Sequence, residues 1–253
     1  MPKTALSIAG SDPAGGAGIQ ADLKTFAAHK VYGMAVITAL TAQNTNGVTG
    51  VHLVPPEFVA EQVQTLLADM PVDAIKLGML ANAGIISAVA EALKGFDGPI
   101  VLDPVMVSTS GHALIDPEAV GSLLLEMLPL ATLVTPNLPE AKLLLQGSEP
   151  QDFVEKTGVA LLLKDGHGAD KVVRDVLYQP GLPSQMFIHP RVETRNTHGT
   201  GCTLSSALAA RLAKGQVLPQ ACEGGIAYIA ELIAASAEHS LGTGKGPLLH
   251  GLS

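Results

Sequence analysis

Residues 74–102 read AIKLGMLANAGIISAVAEALKGFDGPIVL, and this stretch decides the fold. Ala74–Leu77 is a short run of strand length, and Ile100–Leu102 is another. Between them Gly84–Lys94 carries its apolar residues at helical spacing. Neither run alternates apolar with polar side chains, as a strand with one wet face would. A continuous run suits a parallel strand buried on both faces. Strand, helix, strand is therefore the unit of a parallel sheet covered by helices.

The same alternation extends in both directions. Upstream lie the run Ala5–Ala9, a helix from Gly18 to Lys30 with Ile19, Leu23, Phe26 and Ala27 on one face, the run Met34–Leu40, and a helix Phe58–Met70. Pro55 and Pro56 stand ahead of that last helix as a start signal. Downstream come a helix Pro117–Leu128, a strand Leu133–Thr135, a helix Leu138–Leu145 and a strand Ala160–Lys164. After residue 170 the order changes. Lys171–Tyr178 and Gln185–His189 read as two antiparallel strands joined through Pro180 and Gly181, and helices Thr203–Lys214 and Pro219–Glu238 follow. With no internal repeat and no linker, residues 1–253 are expected to form one three-layer α/β/α sandwich, its mostly parallel central sheet carrying antiparallel edge strands.

Composition removes several functions. The chain has 15 Lys+Arg against 23 Asp+Glu, a formal charge of −8, and only 5 Phe, 3 Tyr and no Trp. It lacks both the basic footprint and the stacking surface of a nucleic-acid binder. A mean hydropathy of +0.34 is too high for disorder. No apolar run reaches the roughly 18–20 residues of a membrane span; the longest, near 123–134 and 226–237, are interrupted by Glu126, Pro129 and Glu231. The opening MPKTALSIAG has too short an apolar core for a signal peptide, and two cysteines twenty residues apart make no framework, so a cytoplasmic protein is expected.

In open α/β sheets ligands bind where the strands end, and polar clusters follow the runs here. They are Gly10–Gly18, Gln43-Asn44, Lys76–Met79, Asp103-Pro-Val105, Thr135–Glu140, Lys164–His167 and Asn196–Cys202. Gly16–Ala21 fits the G-x-G-x-x-A dinucleotide pattern. Ala39–Asn46, where the partner acid should stand, has none. A tight turn or a close backbone approach to a small ligand remains. No Walker A sequence, no G-x-S-x-G and no H-x-x-x-H pair occurs.

The sharpest signal is Gly199-Thr200-Gly201-Cys202 leading into a helix. Its backbone N–H groups, with about half a positive charge from the helix dipole, form an oxyanion or phosphate hole. A cysteine there should have a lowered pKa; alternatively it is a small buried hydrophobe beside a glycine turn. Asn137-x-x-Glu140 is either a helix cap with an exposed acid or an amide and carboxylate able to hold hydrated Mg²⁺. Lys164, ending an apolar strand, offers a cation to phosphoryl oxygens.

Together these segments resemble the ribokinase-like superfamily and, within it, the hydroxymethylpyrimidine/phosphomethylpyrimidine kinases of thiamine biosynthesis. The resemblance runs through SIAGSDPAGGAGIQADLKTF (7–26), TALTAQNT (38–45), IKLGML (75–80), VLDPVMVSTSG (101–111), LVTPNLPEA (133–141), RNTHGTGCTLSSALAA (195–210) and GKGP (244–247). It implies ATP with Mg²⁺, phosphorylation of the hydroxymethyl oxygen and then of the monophosphate, and a homodimer. It also implies roles. Gln43 would pair with the aminopyrimidine edge, Asp22 and the Gly10 backbone would hold the hydroxymethyl side, and Met79 and Val105 would wall the ring. Asn137, Glu140 and Asp103 would serve Mg-ATP, with Asp103 and Glu140 as the metal residues. Lys164 and Thr200 would meet the phosphates. Cys202 stands where sugar kinases of the superfamily carry an Asp base. Two departures accompany the match: Asp165 in Lys164-Asp-Gly-His where the family has K-G-G-H, and a shortened stretch at 147–158. A pyridoxine/pyridoxal kinase, or a pyrimidine-binding module without turnover, are the alternatives.

Overall fold

The computed structural model describes residues 1–106, 116, 119–166 and 170–251. The first strand, β1 (Thr4–Ser11), leads into α1 (Gly18–Ala28). It is followed by β2 (Tyr32–Asn44), β3 (Gly47–Leu53), α2 (Pro56–Asp69), β4 (Ala74–Leu77), α3 (Ala83–Ala92) and β5 (Ile100–Leu102). Then come α4 (Ala119–Ser122), β6 (Leu133–Val134), α5 (Leu138–Leu145), α6 (Pro150–Thr157) and β7 (Ala160–Leu163). The chain continues through β8 (Val172–Gln179), β9 (Leu182–Pro190), α7 (Thr200–Ala213) and α8 (Leu218–Ser236).

All nine strands form one sheet in the order β3-β2-β1-β4-β5-β6-β7-β8-β9. Strands β2, β1, β4, β5, β6 and β7 run parallel, and β3, β8 and β9 are antiparallel additions at the two edges. Side-chain parity explains the apolar runs. Leu6 and Ile8 of β1 enter one core with Ile75 and Leu77 of β4, under α2 and α3. Ala5, just before them and of opposite parity, enters the other core with Phe26 of α1, Leu204 and Leu208 of α7 and Ile226 of α8. Both faces of the sheet are thus buried, which gives the expected sandwich.

Three features differ from the sequence reading. Strand β3 was not expected: of its seven residues only Val48 is buried, so no apolar pattern marks it. The shortened stretch at 147–158 contains α6, a helix given no range in the sequence reading, started by Pro150 and stopped by Gly158 at φ +73. The helix expected over Pro117–Leu128 is α4 followed by a π-helical turn at Leu123–Met127 and a 3₁₀ turn at Leu128–Leu130; positions 117 and 118 lie outside the described residues. Among the described residues no helix is long and apolar enough to cross a membrane.

Sequential connections leave β1 to one side for β2 and to the other for β4, so the sheet has its switch point at β1. The carboxyl ends of β1, β4, β5 and β7 lie along the same edge of the sheet, the edge where such sheets bind ligands.

Candidate active site

A cavity of about 630 Å³ opens over these strand ends. Its wall includes Gly10, Gln43, Met79, Val105, Asn137, Glu140, Asp103, Lys164, Gly199, Thr200, Gly201 and Cys202, the sequence candidates other than Asp22.

The loop after β1 closes one end. Gly18 has φ +56, and a Cβ there would stand 2.3 Å from the Gly10 carbonyl oxygen, so only glycine lets the chain fold back this tightly. Asp12 organises the loop by accepting N–H groups from Ala14 (2.9 Å), Gly16 (3.1 Å) and Ala17 (2.9 Å). His198 Nε2 approaches its carboxylate to 2.8 Å. Burial works to raise the Asp12 carboxyl, but the His198 hydrogen bond and these N–H groups outweigh it and hold it below its usual range.

That arrangement sets the direction of Gln43. One amide atom lies 3.2 Å from Thr41 Oγ1, the other 3.3 Å from His198 Nε2. The Thr41 hydroxyl gives its proton to Ser11 O at 2.9 Å, and the His198 N–H is given to Asp12. As placed, Oε1 faces Thr41 and Nε2 faces His198; proton counting reverses the amide, turning the NH₂ toward Thr41 and the carbonyl oxygen toward the imidazole. One N–H and one lone pair remain for a ligand edge. Met79 and Val105 flank this end, and the Met79 backbone is fixed by Thr38 Oγ1 donating to its carbonyl at 2.7 Å.

At the other end α7 begins. Gly199 precedes it with φ +81 and packs directly on the loop: a Cβ would lie 1.7 Å from Gly16 O. The Thr200 hydroxyl donates to Thr197 O (3.2 Å) and Thr203 Oγ1 to Gly199 O (2.8 Å). Among the described residues the Gly201 and Cys202 N–H groups have no backbone acceptor, as expected of a first helical turn. Asp103 and Lys164 face that turn, each 3.5 Å from where a Gly201 Cβ would be.

Lys164 Nζ pairs with Asp103 Oδ1 at 3.1 Å, and Thr135 Oγ1 (3.2 Å) and Ser205 Oγ (3.3 Å) also donate to Asp103. Burial opposes both charges, yet Lys164 and Lys76 hold Asp103 low while Asp103 and Glu140 hold Lys164 high. Asn137 and Glu140 make a reciprocal cap on α5, Asn137 N to Glu140 Oε2 and Glu140 N to Asn137 Oδ1, both 2.9 Å. The cap reading is thus right, but the acid is not exposed: Glu140 is buried in the cavity wall. Burial raises its pKa and Asp103 adds to the rise, which Lys164 only partly offsets. A carboxylate kept short of positive charge beside a second carboxylate is a fitting place for Mg²⁺. Among the described residues no cluster of three ligating side chains exists, so the ion would rest on Glu140 and Asp103 with ligand oxygens and water completing its shell.

Two expectations need correction. Asp22 does not line the cavity. Its carboxylate lies fully buried beneath it, saturated by Ser7 Oγ (2.5 Å), Ser206 Oγ (2.7 Å) and Lys76 Nζ (2.9 and 3.0 Å), and so has no free acceptor for a hydroxymethyl group. The Cys202 thiol is not lowered. Burial pushes it up to about 11; Lys76 opposes the rise, Asp22 and Asp103 add to it, and the Gly18 N–H bonded to the sulfur is too little to reverse it.

Sequence reasoning placed Lys76, Asp12 and His198 in strand-end clusters without giving them a role, and missed Asp175 and Arg191. Asp175, buried in β8, accepts from Asp165 N at 2.9 Å. Arg191 donates to the carbonyls of Asp165 (3.1 Å), Gly166 (2.8 Å) and Asp170 (2.7 Å). The departure at Asp165 therefore sits in a loop stapled from two sides; Val173, Val192, Leu204, Ile229 and Ile233 give the cavity lining an apolar part. His167 lies outside the described residues.

Residues 12–249 match the family model of phosphomethylpyrimidine kinase. The chain belongs to that family. A hydroxymethylpyrimidine/phosphomethylpyrimidine kinase of Rhizobium meliloti is 47% identical over 99% of this chain and 97% of its own length. Among solved structures, the phosphomethylpyrimidine kinase of Clostridium difficile superposes with a TM-score of 0.77 at 38% identity, covering 91% of this chain and 99% of that one. The pyridoxal kinase of Staphylococcus aureus, solved with AMP-PCP and pyridoxal, superposes with a TM-score of 0.87 at 31% identity, covering 99% and 94%. The fold is the ribokinase-like one of these phosphomethylpyrimidine and pyridoxal kinases.

Proposed function

We propose that this phosphomethylpyrimidine kinase family member uses ATP to phosphorylate the hydroxymethyl oxygen of 4-amino-5-hydroxymethyl-2-methylpyrimidine, and then phosphorylates the monophosphate to the pyrophosphate, in thiamine biosynthesis. The observation that carries it is one continuous cavity joining an amide edge reader, Gln43, to a glycine-started helix flanked by Lys164. The free N–H and lone pair of Gln43 match a ring nitrogen beside an exocyclic amine. With that edge held, the hydroxymethyl group faces the first turn of α7.

Phosphoryl transfer is chiefly positioning and charge stabilisation. The Gly201 and Cys202 N–H groups and the Lys164 ammonium supply donors to oxygens of the phosphoryl group in flight. The apolar part of the lining, which includes Ile229 and Ile233, suits an adenine, in keeping with the nucleotide analogue bound by the Staphylococcus aureus pyridoxal kinase. Bound at Glu140 and Asp103, Mg²⁺ would neutralise charge on the triphosphate. Because its thiol stands near 11, Cys202 is protonated at neutral pH and meets the acceptor hydroxyl as a hydrogen-bonding neighbour before any transfer of charge. Action in the cytoplasm as a homodimer is part of this reading and rests on the family resemblance.

ADP release measured with hydroxymethylpyrimidine, its monophosphate and pyridoxine as acceptors tests the proposal. Turnover of both pyrimidines with at least tenfold higher kcat/KM than pyridoxine is expected. A preference for pyridoxine would make the chain a pyridoxine kinase, and absence of ADP with every acceptor would make it a binding module.

A further inference from the structure

Strand β4 is four residues long and fully buried, yet its third residue is a lysine whose side chain is 0% exposed. Parity turns Ile75 and Leu77 toward α2 and α3 and sends Lys76 to the opposite face, where Ser7 also points. Its Nζ grips both oxygens of Asp22, at 2.9 and 3.0 Å, and reaches the cavity wall. Two acceptors serve three N–H groups, so among the described residues one donor lacks an acceptor. Gly78 keeps the path clear, since a Cβ there would stand 2.7 Å from Nζ.

The same carboxylate is held by Ser206 of α7. Cys202 lies four residues earlier, on the same face of that helix, so it stands directly over the ion pair. The charged groups around its sulfur are Lys76 from β4, Asp22 from α1, Asp103 beyond β5 and Lys164 beyond β7; the Lys76 field acts on it most strongly. A buried ion pair contributes little to stability compared with well-packed apolar residues of similar volume. Its place beneath the transfer site calls for a chemical use.

We propose that Lys76 is a positioning residue of the transfer site: its ammonium, anchored by Asp22, acts through Cys202 to oppose the negative charge that the acceptor hydroxyl develops as it is phosphorylated. In that step the acceptor oxygen bonds to the γ-phosphorus. The bond from this phosphorus to the bridging oxygen breaks with its electron pair remaining on ADP, and the hydroxyl proton is released to water. Lys164 serves the phosphate side and Lys76 the acceptor side. The assignment rests on the kinase reading above.

The test replaces the ion pair by a neutral one, Asp22→Asn with Lys76→Met, beside Lys76→Met alone. The single variant should be the less stable, since it strands a buried carboxylate. The double variant should regain most of the wild-type Tm while its kcat with hydroxymethylpyrimidine stays at least tenfold low and its KM for ATP stays within twofold. Its Cys202 should also react with iodoacetamide at pH 8.5 at least fivefold more slowly than in the wild type, in a Cys222→Ala background. Recovery of kcat and alkylation rate together with Tm would show the pair to be structural and overturn the proposal. If the Met pair does not fold, Asp22→Asn with Lys76→Gln offers an amide pair in the same place, read by the same criteria. Failure of the kinase reading shows separately as no ADP from the wild type, and the alkylation rate still reports the Lys76 charge.

Discussion

Gly199→Ala probes the joint between the two ends of the cavity. The position has φ +81, and an added Cβ would lie 1.7 Å from Gly16 O, 2.8 Å from Gly16 C and 3.2 Å from Ala17 Cα. Ordinary contact begins at 3.4 Å, so the α7 start and the β1–α1 loop must part by about 1.7 Å (3.4 − 1.7). Both segments bear on the reaction, and roughly 1 Å of misplacement at a transfer site costs about 100-fold in rate. We expect kcat/KM for hydroxymethylpyrimidine to fall at least about 100-fold, or about 2.7 kcal/mol of transition-state stabilisation. Left-handed strain adds about 1–2 kcal/mol of lost stability. Gly215→Ala isolates that strain: φ is +80 there too, but nothing among the described residues lies within 4 Å of the added Cβ. It should lower stability by about 1–2 kcal/mol and leave activity unchanged. Steady-state ADP release and urea unfolding of both variants separate the effects. If Gly199→Ala keeps kcat/KM within threefold of Gly215→Ala, the close packing of Gly199 on Gly16 is irrelevant to transfer and the geometric argument fails.

Two further outcomes follow from the site. Cys202→Ala should slow phosphorylation of the hydroxymethyl group more than phosphorylation of the monophosphate, whose acceptor oxygen is already charged; equal losses in separate assays of the two steps would refute a role at the acceptor. Burial, helped by Lys24 and opposed by a Leu248 backbone bond, lowers the His250 pKa from 6.5 to about 4, so between those values the unfolded chain binds a proton the folded chain refuses. Stability should therefore fall as pH drops, by about 2 kcal/mol between pH 7.5 and 5, and urea unfolding of His250→Gln at the two pH values should lack that part of the slope; an unchanged slope would refute it.

Much of this architecture was legible because burial on both faces of the sheet prints largely apolar runs without strict alternation, as at Ala5–Ala9 and Ile100–Leu102. Strand β3 was not, since six of its seven residues are at least partly exposed and its pairing with β2 is made by backbone groups. Candidate residues at strand ends could be found by position, but their states could not. The rule that a helix start lowers a cysteine pKa sees one helix; it does not see the desolvation, or the Asp22 and Asp103 charges, that bear on Cys202. Lys76 carried a readable signal, a cation inside an apolar strand with no wet face to reach. Asp22 was misplaced for the converse reason: helix periodicity shows the buried face of α1 without showing that Lys76 and two serines occupy its carboxylate.

The net charge of −8 sets a problem for a chain that binds a nucleotide and an anionic monophosphate, and the structure answers it acid by acid. Asp12 is spent on backbone N–H groups and His198, Asp22 on Lys76, and Asp103 on Lys164. None of these carboxylates faces an incoming phosphate with its charge unopposed. Glu140 has a pKa raised above its usual value, chiefly by burial, and its cap partners take only part of its acceptor capacity. The remaining negative charge is thus concentrated where a divalent cation arriving with the nucleotide would lose least by shedding water. The acidity of the chain then works against anion binding at long range, where salt screens it over about 8 Å, while the short-range field at the α7 start is set by two lysines and unpaired N–H groups.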